Sequence, residues 1–289
     1  MAEQDIQQGN SRGINPLANY FRQPKIYIKL PSEGRFYQGN SLDISQNGEY
    51  AVYAMTAKDE LMFKTPDALM NGQATVEVIK SCIPAIRDPW KMPSIDIDAA
   101  LIAIRIATYG ESMEVATNCP SCGHHNDYRL NLVSYVDGYQ GFVYKDTIEI
   151  GPLVVHIRPY SYQETTKTAL KTLEQQKIFQ IVNDENLSDE VKLEKFGESF
   201  VKLTELTVDV VAGSITKIVA PEGEVTDKKQ ILEFIQNAPK DVFSKINDHV
   251  LAMKNQIELK VNDVECEECH HRFDMPVTMD QTNFFVQGS

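Results

Sequence analysis

Two similar stretches decide the fold, and each carries one Cys-x-x-Cys pair. The first runs Val115-Ala-Thr-Asn-Cys119-Pro-Ser-Cys122-Gly-His-His-Asn-Asp-Tyr-Arg-Leu130, and the second runs Val261-Asn-Asp-Val-Glu-Cys266-Glu-Glu-Cys269-His-His-Arg-Phe-Asp-Met-Pro276. Alternating apolar residues on both sides of each pair predict a strand, a tight turn and a second strand. A two-residue gap lets both thiolates of one turn face the same metal ion, while backbone N–H groups of the turn donate to sulfur.

The four cysteines of these stretches are predicted to hold one structural zinc ion: Cys119, Cys122, Cys266 and Cys269. Four thiolates match the softness and the ligand number of tetrahedral zinc, and they leave no open coordination position for a substrate. An Fe–S cluster, free thiols and a redox disulfide are the alternatives. A thioredoxin-like site needs its pair at the start of a helix that follows a strand, and neither pair is placed in this way.

Four histidines follow the cysteine pairs, and each is a candidate to replace a cysteine as a metal ligand. They are His124, His125, His270 and His271. We predict that they are exposed loop residues or donate hydrogen bonds behind the ligands.

The two cysteine pairs are separated by residues 123–265, far more than the roughly 15 to 20 residues expected in a compact zinc ribbon. A domain inserted between the hairpins leaves them free to meet if its two ends lie close together. The predicted fold class is therefore α+β: a mixed core in which two zinc-knuckle β-hairpins form a split zinc ribbon, interrupted by a helical insertion. Zinc would clamp the ends of that insertion.

Composition changes along the chain predict four segments. A flexible or docked arm covers residues 1–24, an α+β core with the first knuckle covers 25–160, a helical insertion covers 161–254, and the second knuckle with a C-terminal tail covers 255–289. A helix from Ser94 to Tyr109 has apolar residues on more than one face, which predicts a central helix that Ser94 caps. Gly151-Pro152 predicts the turn of a hairpin over 147–157.

Several other residues have a structural interpretation beside a functional one. Asp59 and Glu60 resemble a carboxylate pair, but Thr56 and Asp59 have the spacing of a helix capping box, as do Ser161 and Glu164. Cys82, which follows an apolar helical pattern, is predicted to be a buried thiol. His156 and His249 are predicted to be structural, and Trp90 is equally suited to a partner surface and to the core.

Composition limits the classes of function. The formal net charge is −13 and the longest basic clusters have two residues, which disfavours a nucleic-acid partner. No stretch approaches the roughly 18 to 20 apolar residues of a membrane helix, and the polar first residues do not resemble a secretory signal, so we expect a cytoplasmic protein. The common phosphate-binding, dinucleotide, metalloprotease and hydrolase motifs are absent from the sequence, which favours a protein that is not an enzyme.

Five further motifs, taken as a block, resemble the T4-type baseplate hub and tail-assembly proteins of contractile-tailed bacteriophages. They are Leu30-Pro-Ser-Glu-Gly-Arg-Phe-Tyr37, Met55-Thr-Ala-Lys-Asp-Glu-Leu61, Asp67-Ala-Leu-Met-Asn-Gly72, Ile104-Arg-Ile-Ala-Thr-Tyr-Gly110 and Asn118-Cys-Pro-Ser-Cys-Gly123. The resemblance covers about residues 25–135, with a looser likeness at the second knuckle.

This resemblance implies a structural or assembly role in the baseplate hub, with other tail or baseplate proteins as partners. The protein would work in the host cytoplasm during assembly and, as a hub subunit, in the baseplate of the virion tail. The arm over 1–24 and the tail with Phe284 and Phe285 are the candidates for partner contact. The alternative functions are a zinc-ribbon regulator or nucleic-acid binder and a metalloenzyme with an open zinc site.

Overall fold

The computed structural model describes residues 17, 20–64, 72–139, 141–182, 188–256, 260–276 and 285. Phe284 and most of the predicted arm and tail lie outside these ranges. Among the described residues, no helix is long and apolar enough to cross a membrane.

Pairs of consecutive strands alternate with groups of one to three α-helices along the described chain. The strands are β1 Pro24–Lys29, β2 Glu49–Tyr53, β3 Ser112–Asn118, β4 His125–Asn131, β5 Thr147–Ile150, β6 Leu153–Ile157, β7 Ile215–Ala220, β8 Gly223–Val225, β9 Lys260–Glu265 and β10 Arg272–Pro276. The α-helices are α1 Ala57–Phe63, α2 Gln73–Cys82, α3 Ser94–Tyr109, α4 Leu132–Gly138, α5 Tyr162–Val182, α6 Asp189–Ser214, α7 Lys228–Asn237 and α8 Lys240–Asn255.

The sheets are small and antiparallel. β1–β2, β3–β4 and β9–β10 are separate hairpins, and β5-β6-β7-β8 form one four-stranded sheet. The predicted mixed α+β class is therefore confirmed in its general form. Each cysteine hairpin is a sheet of its own, so the described strands of the two hairpins do not share a ladder.

The helix α3 is the centre of the first hydrophobic core, as its apolar residues on several faces predict. Nearly all of its residues from Ile95 to Ala107 are buried. The predicted cap at Ser94 is wrong, because Pro93 occupies the cap position and makes no side-chain cap bond. The Ser94 N–H donates instead to the Tyr160 carbonyl at 2.7 Å, which supplies a partner for one of the first helical N–H groups.

A buried carboxylate fixes a turn onto the first turn of α3. Asp96 is fully buried and accepts hydrogen bonds from the Ser32 backbone N–H, at 2.7 Å, and from the Ser32 hydroxyl. Burial raises the pKa of Asp96 to about 7, although the Ser32 donors favour the ionised form. The turn that begins Leu30-Pro31-Ser32 is thereby tied to the central helix.

A second core lies between the four-stranded sheet and the helices α6, α7 and α8. Its buried members include Val155, Val211, Ile218, Ile231 and Ile246. The insertion predicted to be helical over 161–254 also contains the strands β7 and β8, and β7 pairs with β6 across the expected boundary at 160. The β-branched run Ile215-Thr-Lys-Ile-Val219 forms a strand there because β6 offers it a sheet edge. The division into four segments otherwise stays a prediction.

Both described ends of the chain dock onto the first core. Arg22 donates to the Ala54 and Ser81 carbonyls and lies 3.5 Å from the Asp59 carboxylate. Phe285, which the sequence suggested as a partner contact, is only 3% exposed and stacks on Phe63 with ring centroids 4.4 Å apart. The suggested partner contact is therefore wrong for Phe285. Burial of its aromatic ring in the core is lower in free energy than exposure to water.

Candidate metal centre

The first cysteine hairpin is a regular antiparallel ladder that ends in a tight turn. Its pairing runs without a break from Ser112–Asn131 to Asn118–His125. In the turn, the Cys119 N–H donates to the His124 carbonyl at 2.8 Å and the Gly123 N–H donates to the Cys119 carbonyl at 2.9 Å. Gly123 has a φ of 75°, a left-handed conformation that glycine adopts at little cost.

The second hairpin repeats this turn with different residues. The Cys266 N–H donates to the His271 carbonyl at 3.0 Å, and the His270 N–H donates to the Cys266 carbonyl at 3.0 Å. His270 stands where the first turn has Gly123 and has a φ of 56°. The likeness of the two sequences therefore extends to backbone hydrogen bonding. The ladder of the second hairpin is less regular, since its register shifts between Phe273 and Met275.

The two turns bring all four predicted cysteines together. Their sulfur atoms lie within 4.8 Å of one another, and the Sγ–Sγ distance is 3.7 Å both for Cys119–Cys269 and for Cys122–Cys266. Four sulfurs at about 2.3 Å from a tetrahedral zinc ion would be about 3.8 Å apart. A disulfide needs about 2.05 Å. The group can therefore hold a metal ion, and its spacing is that of four separate ligands.

Each turn contributes one buried and one exposed cysteine to the group. Cys119 and Cys266 are buried, whereas Cys122 and Cys269 are exposed. The site thus lies at the edge of the first core, to which Met113, Leu130 and Val264 of the flanking strands belong.

Two side chains of the first hairpin bind the backbone of the second. The Asn126 carboxamide oxygen accepts from the Glu267 N–H at 2.9 Å, and its NH₂ group donates to the His124 carbonyl at 2.9 Å. The Tyr128 hydroxyl donates to the Glu265 carbonyl at 3.0 Å. These bonds position the turns face to face independently of the sulfur atoms.

Backbone N–H groups of the two turns point at sulfur atoms of the site. The Ser121 N–H donates to the Cys119 sulfur at 3.4 Å. The backbone N–H groups of Cys269 and Glu268 lower the pKa of Cys266 to about 6. For Cys122 the His124 backbone acts in the same direction, but the neighbouring Cys269 and Cys266 thiols raise its pKa to about 12. A divalent cation would displace these remaining protons, since thiolates are the ligands it binds.

Two of the four histidines next to the cysteines have other hydrogen-bond partners. His125 Nδ1 lies 3.0 Å from Asn118 Oδ1, and His270 Nδ1 lies 2.9 Å from Glu265 Oε1. His125, His270 and His271 are exposed and His124 is half-buried. The metal-competent group within the described residues consists of the four cysteines.

A family model described as T4 bacteriophage base plate protein matches residues 23–286. The chain belongs to this family. The match spans both cysteine hairpins and everything between them, so it extends well beyond the motifs over about residues 25–135 that carry the resemblance in the sequence. No curated protein and no solved structure matches the chain.

Membership makes the protein a bacteriophage baseplate component and confirms the family suggested by the sequence. Two residues of the site, Asn126 and Tyr128, were not predicted. A signal for them exists in the alternation of β4, where Asn126, Tyr128 and Leu130 share the inward face. A polar residue on an apolar strand face indicates a buried hydrogen bond.

The other candidate residues of this baseplate protein have structural roles. Thr56 and Asp59 form the predicted capping box, and the Asp59 carboxylate also accepts from the Ser81 hydroxyl at 3.0 Å. Ser161 and Glu164 form the second capping box. Burial raises the pKa of the Cys82 thiol to about 11, as expected for an unreactive cysteine. Trp90 is half-buried and stacks on Tyr162 with centroids 5.6 Å apart.

Proposed function

We propose that this baseplate protein is a non-enzymatic structural or assembly component of the hub of a contractile phage tail. We further propose that one zinc ion, held by Cys119, Cys122, Cys266 and Cys269, stabilises it. The observation that carries this proposal is the four-sulfur group, which joins hairpins about 150 residues apart in a chain of the baseplate family.

Zinc suits the site better than the alternatives. The 3.7 Å spacing of the paired sulfurs fits a single tetrahedral ion, and a zinc ion needs no electron-transfer partner. Four cysteine ligands would fill its coordination shell. A filled shell has no position for a catalytic water, which supports a structural role over a metalloenzyme.

The location of the site supports a clamping role. Cys119 and Cys122 precede the second core along the chain, while Cys266 and Cys269 follow it. A metal that binds both pairs closes this long loop and restricts the unfolded chain. The folded protein would then present its surfaces to other tail or baseplate proteins in a fixed arrangement.

The charge distribution supports protein partners over nucleic acid. The chain has a net charge of −13, which opposes binding to a phosphate backbone. We expect the protein to act in the host cytoplasm during assembly and to remain with the virion tail if it is a hub subunit.

Two experiments test the proposal. Mass spectrometry of purified phage tails and of affinity-purified complexes from infected cells should detect this chain together with other baseplate proteins. A chain that copurifies with no tail protein from either source would contradict the baseplate-hub role. Metal analysis of the purified chain should find one zinc per chain, and a metal-free native protein would contradict the zinc site.

A further inference from the structure

In the first half of α6, several polar residues are buried or half-buried and several apolar residues are exposed, which reverses the usual pattern of a surface helix. Lys192 and Lys195 are half-buried and Ser199 is buried, and their spacing of three and four residues places them on one face. In contrast, Leu193, Phe200 and Val201 are 74, 64 and 54% exposed. A helix at the surface of a single protein normally buries its apolar face, so the exposed apolar residues indicate a surface that another protein covers.

Leu193, Gly197, Phe200 and Val201 form a continuous surface, here called the α6 patch. Steps of three and four residues place all four on one face of the helix. A Cβ atom added at Gly197 would meet nothing within 4 Å. Glycine inside a helix is less favourable than alanine, and the space around Gly197 does not require it. A glycine at this position leaves a shallow notch between Leu193 and Phe200, at which a second helix can approach closely. We take this close approach as the reason for Gly197.

One edge of the α6 patch is acidic. Glu194, Glu198 and Glu205 are exposed and follow one another along the adjacent row of the helix. Glu198 lies 3.8 Å from Lys202, but such exposed pairs contribute little and leave the local field negative. An apolar surface with an acidic edge complements an apolar surface with a basic edge.

Charge complementarity favours a different protein over this chain as the occupant. A second copy would bring another net charge of −13 and another acidic edge to the patch. The stretches outside the described residues contain only one basic side chain, Arg12. The complementary charge must therefore come from a different protein.

We propose that the α6 patch is a docking surface for an amphipathic helix of another baseplate protein, with lysine or arginine along one edge of its apolar face. The assignment of the partner to the baseplate rests on the proposed function, whereas the chemistry of the surface rests on the residues of this chain. Leu193 and Phe200 supply the apolar anchors, Gly197 permits close approach, and the glutamates select a basic partner.

The test uses the purified full chain and two designed helical peptides of equal length, one of leucine, alanine and lysine and one of leucine, alanine and glutamate. In about 0.15 M salt, fluorescence anisotropy should show at least about tenfold tighter binding of the lysine peptide. The double variant Leu193→Ser/Phe200→Ser should lose at least about tenfold in affinity for the lysine peptide. The matched variant Ile44→Ser/Val143→Ser removes two exposed apolar residues elsewhere and should bind within about twofold of the parent.

A second pair of variants distinguishes a loss of binding from a loss of folding stability. Gly197→Ala should raise the melting temperature, because alanine favours a helix, and yet weaken binding of the lysine peptide by filling the notch. Gly213→Ala, on the same helix and equally open at its Cβ position, should raise the melting temperature without changing the affinity. Equal affinity for both peptides, or lysine-peptide binding unaffected by Leu193→Ser/Phe200→Ser or by Gly197→Ala, would overturn the proposal. Because this test uses the isolated chain, its failure is distinct from the absence of the chain from phage tails.

Discussion

The two cysteine hairpins share one backbone design but are supported to different extents. Each places two strand residues in the first core, Met113 and Leu130 in the first hairpin and Val264 and Met275 in the second. The first has an unbroken ladder and a glycine at the left-handed position of its turn. The second has a register shift and places His270 in the left-handed conformation. The first hairpin therefore has the stronger local support, whereas the second depends more on what the first supplies: hydrogen bonds from Asn126 and Tyr128 and, in the proposed zinc site, two of the four sulfur ligands.

The largest effect should come from removing the metal ligands of the weaker hairpin. Cys266→Ser/Cys269→Ser should abolish stoichiometric zinc binding, because structural zinc binds with on the order of 10 kcal/mol in small domains. Hydrogen exchange should then show loss of protection over 260–276 while residues 112–131 stay protected. Metal analysis of Cys82→Ala, which removes the thiol outside the cluster, should still find one zinc per chain. Equal loss of protection in both hairpins would contradict the comparison.

Removal of the buried link between the hairpins should have the next largest effect. Asn126 is 1% exposed and satisfies the Glu267 N–H and the His124 carbonyl. Asn126→Ala leaves both without that partner and should lower the free energy of unfolding by about 1 to 3 kcal/mol. Denaturant unfolding measures this loss. Asn118→Ala, at an exposed position of the same hairpin, should change stability by less than about 0.5 kcal/mol, and equal losses in the two variants would count against the bridging role.

Substitution of Gly123 and of His270, the residues with positive φ in the two turns, tests the difference in backbone conformation between the hairpins. Gly123→Ala should destabilise the protein by about 1 kcal/mol, since alanine is strained at a φ of 75°. His270→Gly should stabilise it slightly or leave it unchanged, because the exposed His270–Glu265 pair contributes little. Thermal unfolding of the zinc-loaded variants measures both. A His270→Gly variant less stable than Gly123→Ala would show that the His270 side chain supports the turn.

The smallest effect should come from removing the hydrogen bond between the Tyr128 hydroxyl and the Glu265 carbonyl, which is exposed. Tyr128→Phe removes the hydrogen bond to the Glu265 carbonyl and keeps the ring, so we expect a loss of about 0.5 kcal/mol. Denaturant unfolding with and without a chelator should show a larger loss in the metal-free protein, where the hairpins have fewer links. An equal loss in both states would indicate that this bond and the metal act independently.

The cysteine spacing and the strand alternation predicted both hairpins and the meeting of all four sulfurs across a gap of more than 140 residues. Local signals also predicted α3, the two capping boxes and the hairpin at Gly151-Pro152. The hairpins, the helix and the capping boxes were predictable because they depend on neighbours in the sequence. The match of the family model to residues 23–286 confirms the identity suggested by the five motifs.

The sequence failed where distant parts of the chain decide the outcome. The strand β7 forms because β6 offers an edge about 60 residues away, and Phe285 is buried because Phe63 provides a stacking surface. Ser94 does not cap α3 because Pro93 occupies the cap position, and the Ser94 N–H donates to the distant Tyr160 carbonyl. The bridging role of Asn126 depends on the second hairpin, which lies about 140 residues further along the chain.

X-ray absorption spectroscopy of the purified native protein tests the central claim most directly, because it identifies the metal and counts its sulfur neighbours. We predict one zinc ion per chain with four sulfur ligands at about 2.3 Å and no nitrogen ligand. An iron signal, or a shell in which a histidine nitrogen replaces one of the four sulfurs, would contradict it.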